Sequence, residues 1–168
     1  MSKRAPHTVY LRRVQEGDRA IFFEQQLDPV ANHMAAFSTE DPADREAFAS
    51  HWDRILAETG ITVRTIVADG AVAGHIERFE RFGLPEISYW LGNDYWGKGI
   101  ATQALASFLQ EVRERPLYAR AAKDNVASLR VLEKCGFAVV GQDKAYANAR
   151  HQEVEEFLLK MDGDDQAT

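Results

Sequence analysis

Apolar positions along this chain change their period several times, and each change marks an element. Across residues 8–14, Val9, Leu11 and Val14 alternate with polar neighbours, the period of a first strand. Gly17 and Asp18 then open a helical stretch through Phe22, Phe23 and Leu27, and a second short helical piece runs from Pro29 toward Phe37. Asp41-Pro42 reads as a helix start, with Asp41 as cap and Pro42 in the first helical position. That helix carries Phe48, Trp52, Ile55 and Leu56 on one core-facing side and stops at Gly60. Residues 61–68 are β-branched and alternating, and the Asp69-Gly70 turn sends the chain back along 71–79 as a hairpin.

Gly83-Leu84-Pro85 interrupts the chain before a strand over 86–91. From Gly99 the period becomes helical, with Ile100, Ala104, Leu105, Phe108, Leu109 and Val112 on one face and Pro116 as the stop. A strand over 117–122 completes a strand–helix–strand unit, which predicts a parallel pair with a right-handed crossover. Asp124 caps a further helix carrying Val126, Leu129 and Leu132 and ending at Gly136. Residues 137–141 and 154–159 predict a closing antiparallel hairpin, and 162–168 an acidic, solvated tail. With no repeat and no linker, residues 1–168 read as one α/β domain with its core over about 8–161.

Composition narrows the partners more than the fold. At 45% hydrophobic and 27% charged positions, 168 residues bury a substantial core. A net charge of −6 without a basic stripe argues against nucleic acid and suits a cationic substrate. No apolar run approaches the ~20 residues of a membrane span, and the basic N-terminal residues lack the apolar segment of a secretory signal. Cys135 stands alone, so no intramolecular disulfide forms and a cytoplasmic location is expected. His7, His33, His51, His75 and His151 form no i,i+4 pair, so no metal is expected.

The chemistry concentrates after the 86–91 strand, in Trp96-Gly97-Lys98-Gly99-Ile100-Ala101-Thr102. A glycine-flanked turn opening a helix aims backbone N–H groups and the positive end of a helix dipole at one point, which suits a phosphate or pyrophosphate. Gly92 and Gly97-Lys98 have Walker A spacing, but Gly99 stands where that loop needs a Mg²⁺-binding hydroxyl. A dinucleotide fingerprint fails at Thr102, where its last glycine belongs. Taken alone, the glycines also fit a tight strand-to-helix turn with no ligand.

A second motif lies downstream, Asn125-Val126-Ala127-Ser128 running on to Cys135-Gly136-Phe137. Together the two resemble the GNAT superfamily of acyl-CoA-dependent N-acyltransferases, whose loop is Q/R-x-x-G-x-G/A; here Trp96 takes the first position. Tyr95-Trp96-Gly97-Lys98-Gly99, the preceding Glu86-Ile87-Ser88-Tyr89-Trp90 and the Asn-x-x-Ser spacing are similar to the branch that acetylates N-termini of ribosomal proteins, RimJ/RimL-like. The resemblance covers most of the chain, since the element order also matches. It implies an α/β (α+β) fold in which a mixed, mostly antiparallel sheet holds a central splayed parallel pair flanked by helices. It also implies acetyl-CoA as cosubstrate, no metal, an amine-bearing acceptor (a peptide N-terminus or a small molecule), and frequent homodimers.

Residue roles follow from carrying the motifs over. The N–H groups of Gly97, Lys98, Gly99, Ile100, Ala101 and Thr102, with Trp96 leading the loop, are expected to hold the pyrophosphate. Trp90 and Leu91 are expected to pair with pantetheine as with an added strand, an N–H near Leu91 polarising the thioester oxygen. Asn125 stands at the pantetheine-contacting position, although capping explains it equally well. Glu86 is the candidate base. Many family members place the acid, a Tyr, seven positions after the Asn, where this chain has Leu132. Ser128 is the remaining hydroxyl there, with Tyr146 as a reserve. Phe22, Phe23, Asn32, His33, Met34, Phe37 and a turn over 145–148 are expected to face the acceptor, with Phe37, Glu86 and Tyr146 touching it. The absent Tyr leaves open a catalytically silent acyl-CoA-binding module.

Overall fold

The computed structural model describes residues 7–163, so the N-terminal basic residues and the acidic tail beyond Gly163 lie outside the described residues. Seven strands form one sheet: β1 (Val9–Arg12), β2 (Thr62–Ala68), β3 (Ala71–Arg81), β4 (Leu84–Leu91), β5 (Leu117–Ala122), β6 (Ala138–Ala147) and β7 (Gln152–Met161). Five α-helices accompany them: α1 (Asp18–Gln26), α2 (Pro29–Ala35), α3 (Arg45–Ala57), α4 (Ile100–Glu111) and α5 (Val126–Lys134). The sheet order is β1-β2-β3-β4-β5-β7-β6, antiparallel throughout except for the central parallel pair β4–β5.

Two apolar layers sandwich this sheet. On one face, Ile100, Leu105 and Phe108 of α4 and Leu132 of α5 join Ile66, Ile76, Ile87, Leu117 and Leu159 in the main core. On the other, Phe22 of α1 and Trp52 and Ile55 of α3 pack with Val63 of β2. The Phe22 and Trp52 rings stack at 4.9 Å between centroids. Phe22 and Phe23, expected to face the acceptor, are core residues at 1% and 4% exposure, because α1 turns that face toward the sheet. A third, smaller cluster joins Ala36, Ala122 and Ala147.

Several boundaries differ from the sequence expectation for identifiable reasons. The third helix starts at Arg45, capped by Asp44, whose side chain accepts the Ala47 N–H at 3.0 Å; Asp41 closes only a local turn onto Ala43 N. Likewise α5 is capped by Asn125, not Asp124: the Asn125 Oδ1 accepts from Ser128 N at 3.3 Å, while Asp124 pairs with Arg150. Leu84 and Pro85 already belong to β4, opposite Arg81 and Glu80, so the interruption is a tight turn at Phe82-Gly83, both at positive φ. Pro85 is tolerated because its missing N–H would face away from β3. The last hairpin runs longer than predicted; β6 is a sheet edge exposed along most of its length, so no alternation marks it.

Candidate active site

The β4–β5 pair is the centre of the site because it scarcely pairs. Its register holds only at Glu86↔Tyr118, and beyond that the strands diverge toward their C-terminal ends. Backbone groups of a strand point alternately to its two sides. The Gly92 N–H donates to Ala73 O of β3 at 2.8 Å, so the N–H groups of Leu91 and Tyr89 face the opposite way, into the cleft. The oxyanion candidate at Leu91 therefore has a second, Tyr89.

At the open end of the cleft, α4 presents its N-terminus. Gly97 and Gly99 have φ of 72° and 75°, a region that only glycine enters without strain, and a Cβ at either would meet open space. Gln103 N–H is donated to Gly99 O, whereas Ile100, Ala101 and Thr102 precede that first helical bond and Gly99 provides no side chain to cap them. Lys98 is exposed at the loop tip. Trp96 Nε1 donates to Leu91 O at 2.8 Å, so the residue that departs from the family loop ties that loop to the end of β4.

The two faces of the cleft carry different chemistry. On the α4–α5 face, Tyr89 Oη lies 3.2 Å from Ser128 Oγ. Burial pushes the Tyr89 phenol above its ordinary pKa, against the Ser128 hydrogen bond, so it stays protonated through the neutral range. Cys135 is a half-buried thiol whose pKa burial also raises. Asn125 has both side-chain polar atoms engaged by the protein's own backbone, Oδ1 by Ser128 N and Nδ2 by Met34 O.

Facing α1–α3 is a polar lattice. Glu86 is 3% exposed, with the guanidinium nitrogens of Arg81 and Arg120 each 3.5 Å from Oε2. Burial raises its pKa; Arg81 and Arg120 oppose the shift without cancelling it. Arg120 also reaches Glu156 at 3.0 Å, which is itself buried. Nearer the open end, Ser88 Oγ donates to Glu77 at 2.9 Å, and Glu77 meets His75 Nδ1 at 2.8 Å. Trp90 Nε1 is buried on this face without a partner. Glu86 and Ser128 thus lie on opposite faces rather than together. By the strand rise, Glu86 sits about 10 Å along β4 from Tyr89 and about 17 Å from Leu91, beyond direct contact with a group held at either N–H. Sequence reading missed Arg120, Glu77 and His75, because nothing in their local sequence marks them.

A rim joins the last hairpin to the end of α2. Asn148 Nδ2 donates to Ser38 O (2.9 Å), Ala149 N to Ala36 O (3.2 Å) and Arg150 Nε to His33 O (2.8 Å), while Arg150 grips Asp124 through both carboxylate oxygens. The turn lies over 148–151, just past the predicted one, since 145–147 are still strand. Ala36 adopts a strained γ-turn (φ 65°, ψ −56°), with Phe37 N–H donated to Ala35 O; Phe37 then packs against the small Ala36–Ala122–Ala147 cluster. Tyr146 is 58% exposed on the edge strand.

The Acetyltransferase (GNAT) domain pattern matches residues 8–138. The chain belongs to the GNAT acetyltransferase family. Among its GNAT relatives, YdaF of Bacillus subtilis (strain 168), named as a candidate ribosomal N-acetyltransferase, is 27% identical over 136 residues, covering 73% of this chain and 74% of YdaF. Mycobacterium smegmatis RimJ, solved with a CoA-disulfide, superposes with a TM-score of 0.79 at 24% identity, over 95% of this chain and 84% of that one. Spermidine N-acetyltransferase from Vibrio cholerae, solved with CoA and spermine, does so at 0.73 and 17% identity, over 91% and 95%. The splayed β4–β5 pair and the α4 N-terminus at its mouth are the fold expected from the GNAT resemblance. Among the described residues no helix is long and apolar enough to cross a membrane, and no cluster of three His, Cys, Asp or Glu side chains suits a metal.

Proposed function

We propose that the protein moves an acetyl group from acetyl-CoA to the α-amine of a peptide, by direct attack of the amine on the thioester. The observation that carries this reading is the parted strand pair opening onto the uncapped start of α4. Pyrophosphate suits the N–H groups of residues 97–102, and pantetheine suits the cleft-facing backbone of β4, which lacks a neighbouring strand there. A thioester oxygen within reach of Leu91 N–H or Tyr89 N–H would be polarised as charge develops on it. Leu91 and the loop residues Trp96 to Thr102 are the donor-binding set. Trp90, expected among them, instead pairs with His75 of β3 and turns its side chain to the α1–α3 face. Asn125 contributes by fixing the first turn of α5.

The amine approaches from the α1–α3 face and the thiolate leaves toward α5. The amine adds to one face of the thioester carbonyl, and the tetrahedral intermediate then expels the thiolate. The base and the hydroxyl that meets sulfur therefore serve different sides of the cleft, Glu86 the side of approach and Ser128 that of departure. Given its distance along β4, Glu86 takes the ammonium proton through water. Phe37 and Tyr146 stand at the acceptor rim. A peptide fits this face better than a polyamine because Trp90 Nε1 is a buried donor in need of an oxygen. A peptide brings carbonyls, whereas a protonated polyamine brings only further N–H donors.

The test is free-thiol release from acetyl-CoA with a panel of peptides and polyamines. Turnover with free peptide N-termini, abolished by blocking the α-amine, is the expected result; CoA binding with no turnover on any amine would leave a silent binding module. Glu86→Gln is expected to lower kcat/KM by about 10²-fold, the low end of general-base effects. It should also remove an acid limb that in the wild type lies above the ordinary carboxylate range, because Glu86 is raised by burial. An unchanged pH profile would assign the base elsewhere, with Glu77 and His75 next in line.

A further inference from the structure

Leu132 occupies the position where the family resemblance puts a phenol, and it is a core residue, 2% exposed and part of the cluster under α4. A phenol nevertheless reaches the cleft, delivered from the opposite wall. Tyr89 stands on β4 with its side chain toward α5, and its Oη meets Ser128 Oγ across the splay. Among the described residues each hydroxyl has the other as its hydrogen-bond partner. Ser128 is also fixed from behind, since its N–H is held by Asn125 Oδ1.

Two hydroxyls in contact hold two protons, and one hydrogen bond between them uses one. The direction follows from acidity. A phenol, with an ordinary pKa of ~10, is a much stronger donor than an alkyl alcohol, so Tyr89 donates and Ser128 accepts. The Ser128 proton is then left for another acceptor.

We propose that Tyr89 is a positioning residue: its phenol donates to Ser128 Oγ and turns the Ser128 proton onto the sulfur of coenzyme A. This rests on the donor reading above. In the transfer step the amine nitrogen bonds to the acetyl carbon and the C–S bond breaks with its electron pair going to sulfur. The surplus amine proton passes through water toward the base. Sulfur is released as a thiolate, held by the Ser128 hydrogen bond until water protonates it. A hydroxyl too weak to act as an acid can still stabilise that anion, and the phenol behind it strengthens the bond. In this chain Tyr89 replaces, through Ser128, the function that Leu132 cannot perform.

The test titrates the thiol of bound coenzyme A by its ultraviolet thiolate absorbance in the wild type, Tyr89→Phe, Ser128→Ala and the double variant. Subtracting the same protein bound to desulfo-CoA cancels Cys135 and the tyrosines. The wild-type complex should titrate below free coenzyme A. Tyr89→Phe keeps the ring and its packing, and should raise the bound thiol by about one pKa unit, tenfold in thiolate at a given pH. Ser128→Ala should raise it at least as far, and the double variant no further. With a reactive peptide, Tyr89→Phe should lower kcat about tenfold while KM for acetyl-CoA holds, the same hydrogen bond acting on the leaving sulfur. A Tyr89→Phe titration matching the wild type, or shifts that add in the double variant, would overturn the proposal. Absence of coenzyme A binding would overturn this proposal and the donor reading together. A shifted thiol without turnover on any amine would sink the acceptor reading alone.

Discussion

Asp18 ties the first strand to the first helix, and it does so from inside the protein. Its carboxylate is 3% exposed and accepts from Arg12 at 2.6 and 2.9 Å, from Gln15 N at 2.8 Å and from Thr65 Oγ at 2.7 Å. Burial alone would raise its pKa; Arg12, Gln15 and Thr65 outweigh that and hold it below the ordinary value. A carboxylate lowered in the folded state stabilises it fully above the unfolded value, about 3.9, and that contribution is lost as pH falls through the folded value. Asp18→Asn should cost about 3 kcal/mol at neutral pH, since it leaves Arg12 without its counter-charge. Urea melts from neutral to acid pH should show the gap between variant and wild type closing as pH falls; a constant gap would refute the linkage. At this scale the sequence is least informative. Asp18 reads as a helix-opening residue, and the burial of Glu86 between Arg81 and Arg120 depends on side chains far apart in the chain.

Elements were more legible, because hydrophobic period reports the face a segment buries. Strand β5 and helix α4 follow their periods closely, each being packed against the main core. Caps were misread where two good candidates adjoin: Asp124 and Asn125 both suit the role, and the choice falls to Arg150, which occupies Asp124. Strand β6 was cut short because an edge strand exposed along its length need not alternate. One element contact carries a sharp prediction. At Gly74 on β3, a Cβ would lie 1.9 Å from Trp90 O and 3.0 Å from Leu91 Cα, backbone atoms that can yield only if β4 moves. Gly74→Ala should therefore cost about 3 kcal/mol, the upper end for overpacking. It should also weaken coenzyme A binding, because the displaced segment is the cleft-facing one. Thermal melts and calorimetric titration would check both; a wild-type melting temperature would show that β4 shifts without cost.

For the whole molecule, the decisive arrangement is how distant segments meet around the cleft. The 148–151 turn is bonded to Ser38, Ala36 and His33, so the last hairpin and the second helix form one rim. No local pattern announces that rim; only the family resemblance suggested that those two segments share the acceptor. Arg150 is its clasp, joining α2 to the start of α5 through Asp124. Arg150→Ala should raise KM for the acceptor about tenfold, equivalent to ~1.4 kcal/mol, and leave coenzyme A affinity unchanged. Steady-state kinetics beside donor titration separate the two, and equal losses in both would mean that the clasp supports the fold rather than the rim.

The single bridge between Glu86 and Tyr118 also has a mechanical meaning. Strands β1 to β4 form one continuous antiparallel block, and β5, β7 and β6 form another. The blocks meet through one backbone register point and the layers packed across it, so the sheet is stiff within each half and compliant between them. Any relative rotation of the two blocks would pivot at this bridge, at the closed end of the cleft. A rotation of a few degrees there is magnified toward Leu91 and Ala122, at the open ends of the two strands. The buried charges of Glu86 and Arg120 sit beside this bridge, at the end where such a rotation would displace them least.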